Sequence, residues 1–160
     1  MRPAKRKYNL DINDKIYMNK IPLYRVIYEE WFVKEQHLKN NKGGYIESDD
    51  NLSHIGSCVV LDNSKVYGNA TIMDSAKVYG SANISGQSII YDNAKIYDDA
   101  FVWGSVKVSG NAEIYGHAHV YDRVKISDNV KVFDSADVCG NTALNGNAII
   151  SGNELAYDRH

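Results

Sequence analysis

A repeat of six residues governs this chain. From Val60 onward the sequence can be written in sixes without a gap: Val66-Tyr-Gly-Asn-Ala-Thr, Ile72-Met-Asp-Ser-Ala-Lys, Val78-Tyr-Gly-Ser-Ala-Asn, and so on to Ile150-Ser-Gly-Asn-Glu-Leu. Position 1 is aliphatic every time, position 3 is always Gly or Asp, and position 5 is small in most hexads, as in Ala70, Ala76, Ala82, Ser88 and Ala94. The pattern reaches back to His54–Val59, with Cys58 at the small position, which gives seventeen hexads. Side chains alternate across a strand, so positions 1 and 5 both face inward if a turn separates them. Gly or Asp followed by Asn, Ser or Asp supplies that turn, because these residues accept left-handed backbone or bond locally to it. Three strand-turn units close a triangular coil, and successive coils stack as parallel strands about 4.8 Å apart. Each inward Val or Ile contributes about 2 kcal/mol on burial.

These residues predict an all-β chain: a left-handed parallel β-helix of about six triangular coils behind a small N-terminal β-rich cap. The division is residues 1–53 for the cap, 54–155 for the repeat and 156–160 for a C-terminal tail. Glu154 at an inward position and Ala156 in place of a branched residue predict that the last coil frays near Ser151. The first 53 residues carry ten Lys/Arg against eight Asp/Glu, net +2, whereas residues 54–160 carry eight against twelve, net −4. Alternation in Tyr8–Ile12 and Lys15–Asn19 around Asn13-Asp14 predicts a hairpin turning at that pair. Ile21–Tyr28 extends the strand reading, Glu29–Lys39 fits helix or strand, and Asn40–Gly44 reads as a loop. The segment's role is to cover the open edges and apolar mouth of the rod.

Lys7-Tyr8, Leu23-Tyr24-Arg25, Gly43-Gly44-Tyr45-Ile46-Glu47-Ser48 and Asn51-Leu52-Ser53, followed by the Tyr-Gly-Asn-Ala hexads, resemble hexapeptide-repeat proteins of phage and prophage genomes. Some of those are labelled acyltransferases. The resemblance covers nearly the whole chain; it implies the β-helix and a phage setting, and transfers no catalytic residue.

Composition excludes several classes. A net charge of −2 and a pI near 6.2 argue against a nucleic-acid binder. Two cysteines are too few for a disulfide framework or a four-thiolate zinc site. No apolar run follows the basic start, so neither a signal peptide nor a membrane span is expected, and the cytoplasm, of a host cell if the chain is phage-encoded, is the expected compartment. The basic tail of Arg2, Lys5, Arg6 and Lys7 reads as mobile.

Residues eighteen apart stack on one another. Asp99, His117 and Ser135 therefore form one column, and Phe101, His119 and Asp137 another. The resemblance to hexapeptide-repeat acyltransferases implies a histidine base at a subunit boundary, and a carboxylate-oriented imidazole makes His117, His119, Asp99 and Asp137 the candidates for that coenzyme A-dependent catalysis. The same pairs also arise as solvated charge pairs on a rung, the reading favoured here. The unbroken hexads leave no loop to build a groove, and three histidines do not converge on a metal. Outward position 2 is more informative. Leu61, Tyr79, Tyr97, Tyr115 and Phe133 form one column; Tyr67, Ser85, Trp103 and Tyr121 a second. Such stacks stabilise a parallel ladder, and they also mark partner-binding faces. Lys77, Lys95 and Lys131 read as one corner column broken by Glu113, with Lys107 and Lys125 stacked on another. Asn93, Asn111, Asn129 and Asn147 read as a side-chain ladder, and Cys139 as outward while Cys58 is inward. The expected function is a non-enzymatic binding or scaffold protein with no cofactor. It would form a homo-oligomer, dimer or trimer, or dock on a host protein through the aromatic columns; an acyltransferase-like enzyme is the alternative.

Overall fold

A computed structural model describes residues 5–158. From Val59 to Asp158 the chain winds as a parallel β-solenoid of about six turns, most rungs being two-residue strands such as Lys77–Val78, Lys95–Ile96 or Glu113–Ile114. Rungs eighteen apart pair in register, Lys95 with Glu113 and Ile96 with Ile114, so three parallel sheets form the three sides of the rod. Inward residues at position 1 from Val60 to Val138 are at most 1 % exposed, and the small residues at position 5 pack between them. That division of large and small fills a narrow triangular interior without voids.

The turns obey a rule absent from the sequence reading. Position-3 aspartates hold left-handed backbone (Asp62 φ 58°, Asp98 φ 55°, Asp134 φ 57°), as do the glycines between them. Each carboxylate reaches up one coil to accept from the amide stacked above it. Asp62 Oδ2 accepts from Gly80 N at 2.9 Å, Asp98 from Gly116 at 3.2 Å and Asp134 from Gly152 at 3.0 Å. A Cβ on Gly80 would lie 2.8 Å from the amide nitrogen of Asp98 in the next coil, so Asp and Gly alternate up this corner.

The cap continues one sheet of the rod. Strand β1 (Tyr8–Met18) pairs antiparallel with β2 (Ile21–Tyr28), β2 with β3 (Lys42–Ile46), and β3 runs parallel to Lys65–Val66. The hairpin turns at Asn19-Lys20, both at positive φ, and not at Asn13-Asp14 as the polar pair predicts. Those two residues sit in a bulge between Asp11 and Lys15, from which Asp14 Oδ2 accepts from Arg25 Nε at 3.1 Å and Oδ1 from the Tyr45 hydroxyl at 3.0 Å. Helix α1 (Glu30–Glu35) resolves the ambiguous stretch and buries Phe32. Gly43 and Gly44 are strand, not loop: a Cβ on Gly44 would stand 2.7 Å from Ser64 O, so the cap meets the rod backbone to backbone. Asn51, buried, donates to Ala70 O at 2.8 Å and ties the Asp49–Asn51 turn to the first coil.

Two other expectations need correction. The last coil does not fray near Ser151; Leu155–Asp158 pairs with Asp137–Gly140, and Glu154 is exposed. Residues 159 and 160, the end of the expected tail, lie outside the described residues. The basic tail is anchored: the Lys5 ammonium lies 4.4 Å from the Trp31 ring centre, Arg6 pairs with Asp49 at 3.0 Å, and Lys7 is wholly buried. Arg2 lies outside the described residues.

Candidate functional site

Positions 6 and 2 flank the inward residue of each rung, so both point out of the same side. On the side built from Val59–Val60, Lys77–Val78, Lys95–Ile96, Glu113–Ile114, Lys131–Val132 and Ile149–Ile150, position 2 carries the first aromatic column. The Tyr79–Tyr97 and Tyr97–Tyr115 ring centres are both 4.8 Å apart with planes within 1°, and Tyr115–Phe133 follows at 4.9 Å and 5°. Leu61 heads the column, packed against the core. The coil rise and the ring stacking distance coincide, so the rings lie face to face and half-buried. Tyr97 Oη donates to Glu113 Oε2 at 2.7 Å; burial, then this bond, pushes the phenol well above its ordinary range. Lys77, Lys95 and Lys131 stand beside the tyrosines on this flat side rather than at a corner, because they are the first residues of the rungs.

The second column is interrupted. Tyr67 is separated from Trp103 by Ser85, and Trp103 stacks on Tyr121 at 4.5 Å and 4°. The column continues through Cys139 to Tyr157, paired in register. Cys139 points outward but is 6 % exposed, and its bond with Tyr121, with burial second, pushes that phenol up to about 12. Phe101 and Trp103 remain exposed beside His119.

The histidine pairs form as the eighteen-residue spacing requires. His117 Nδ1 lies 3.7 Å from Asp99 Oδ2 and His119 Nδ1 lies 3.3 Å from Asp137 Oδ1. All four side chains are 45 % exposed or more. Water screens such pairs and holds neither ring in one orientation, so they match solvated rung pairs better than an oriented base. Shallow depressions mark the surface of the described residues. One, of about 340 Å³, sits where His37–Lys42 of the cap meet Leu61, Asp62 and Tyr79. Among the described residues no cluster of three or more His, Cys, Asp or Glu is placed to hold a metal ion, and no helix is long and apolar enough to cross a membrane. The asparagine ladder joins Asn111 to Asn129 at 3.4 Å and Asn129 to Asn147 at 3.2 Å.

Two features of the site escape the sequence reading. One is the aspartate stripe along the tyrosine side, signalled by the Asp–Gly alternation at 62, 80, 98, 116, 134 and 152. The other is the seam polar cluster: Lys7 Nζ donates to Cys58 O at 2.8 Å and lies 3.1 Å from Cys58 Sγ, while Tyr8 stacks on His54 at 4.1 Å. Burial lowers the Lys7 pKa and raises that of Cys58, the amine opposing the latter. Nothing in the sequence flags Lys7 as an interior residue.

Models of known protein families give no match to this chain, and no curated protein is similar enough to match it.

Proposed function

We propose that this chain is a non-enzymatic protein-binding rod that self-associates or docks on a partner protein through its outward aromatic columns. The observation that carries the reading is the stack from Tyr79 to Phe133, with rings parallel within 5° over four rungs. Tyrosine supplies large amphipathic contact area with few rotatable bonds. Here the stacking has already fixed the rings, so little side-chain freedom is left to lose on binding. Exposed Phe101 and Trp103 add anchors on the neighbouring side. The leader motif's resemblance to phage proteins supports a phage-encoded setting in the host-cell cytoplasm. One concrete form of the role in that setting is an inhibitor seated on a host defence protein.

Replacing Tyr97 and Tyr115 together by Ser should abolish self-association in light scattering, or capture of the partner in pull-down, while circular dichroism stays unchanged. Association and capture both intact in that variant would overturn the reading. Calorimetry with coenzyme A is the control. A heat of binding lost in His119→Ala would put the acyltransferase alternative in its place.

A further inference from the structure

We infer that the partner of the tyrosine side is a second copy of this chain, the two rods lying side by side and pointing the same way about a two-fold axis parallel to them. The inference rests on the docking reading above and names its partner.

The side carries three parallel stripes in strand order. Position 6 gives Lys77, Lys95, Glu113 and Lys131; position 2 gives Tyr79, Tyr97, Tyr115 and Phe133; position 3 gives Gly80, Asp98, Gly116 and Asp134. Two copies can meet face to face with tyrosines on tyrosines in two symmetric ways. A two-fold axis running across the rods sets lysine over lysine and aspartate over aspartate. An axis running along the rods swaps the stripes and sets lysine over aspartate. Only the second is electrostatically complementary, and it is so rung by rung. Lys95 faces Asp98 of the second copy, and Lys131 faces Asp134.

The exception fits as well. Glu113, the one acid among the lysines, shares its rung with Gly116, so no carboxylate opposes it. It is already engaged by the Tyr97 hydroxyl of its own chain. Among the described residues, Lys95 and Lys131 make no ion pair. Asp98 and Asp134 each accept from a backbone amide through one carboxylate oxygen, Oδ2.

The His37–Lys42 segment of the cap stands at the head of the stripe by Leu61 and Tyr79. Contact therefore centres on the rungs of Tyr97, Tyr115 and Phe133, with the capped ends splayed. A few rungs about 4.8 Å apart make an interface below the standard ~800 Å² per partner. The dimer is accordingly weak, with a dissociation constant on the order of micromolar.

Sedimentation equilibrium at low salt should show a monomer–dimer equilibrium that weakens at about 1 M salt. Lys131→Glu, a substitution already tolerated in that column as Glu113, should weaken the dimer about tenfold or more, because two attractions become two repulsions. An axis across the rods predicts the opposite, since Lys131→Glu would then meet a lysine. A second variant, Phe133→Cys, should be linked into a dimer by a thiol-specific cross-linker of about 10 Å reach, the spacing of sheets packed face to face. An axis along the rods sets residue 133 opposite its own copy, whereas an axis across them does so only where it passes through that rung. A wild-type chain monomeric at about 1 mM, a dimer tightened or unchanged by Lys131→Glu, or failure of Phe133→Cys to link would each overturn the inference. If the wild type is monomeric yet captures another protein through Tyr97 and Tyr115, this inference falls and the docking reading stands.

Discussion

His54 sits at the seam between cap and rod, stacked on Tyr8, with Nδ1 accepting from the Lys7 amide at 3.3 Å and Nε2 3.5 Å from Asp49. Burial and then the Arg6 charge lower its pKa, Asp49 opposing them. The unfolded chain therefore takes up a proton first as the pH falls through about 6.5. Its contribution to stability is complete above that pH and is lost below it. Thermal midpoints measured from pH 7.5 to 5.5 should decline for the wild type and decline less for His54→Gln, which keeps an acceptor and cannot titrate. Equal slopes would remove His54 from the account. At this scale the aromatic columns are legible in the sequence, because an eighteen-residue spacing fixes who stacks on whom. The aspartate stripe is less so: a turn residue is read first for its backbone, and its carboxylate's reach to the coil above depends on a three-dimensional stack. Lys7 is hidden for a related reason, since its burial depends on the Cys58 carbonyl, which accepts its ammonium at 2.8 Å.

The rungs and the cap differ as elements in how openly the sequence declares them. Each rung repeats one solution, so sixteen aliphatic positions agree on it. The cap is built once, from contacts far apart in the chain. Asn13-Asp14 has turn chemistry yet serves a bulge, because Asp14 has Arg25 and Tyr45 to hold. Gly43-Gly44 has loop chemistry yet forms strand β3, because only a backbone without Cβ can lie against Val60 and Ser64. Gly44→Ala should therefore destabilise the protein by about 1–3 kcal/mol through overpacking, read as a lower urea midpoint. An unchanged midpoint would show that β3 and the first coils give way more readily than their contacts imply.

Taken whole, the molecule is a rod closed at one end by a basic cap and walled by three flat sides, one of which is striped by charge around a row of rings. A rod of this kind offers little concavity, so the recognition proposed above falls to its sides. The most direct measurement of that claim is tyrosine acylation footprinting, performed on dilute protein and again on concentrated protein or with a captured partner. Tyr79, Tyr97 and Tyr115 should become protected on association, while Tyr17 of the cap, 62 % exposed, serves as the reference and stays reactive. Unaltered reactivity of the three stacked tyrosines in an associated state would contradict the account.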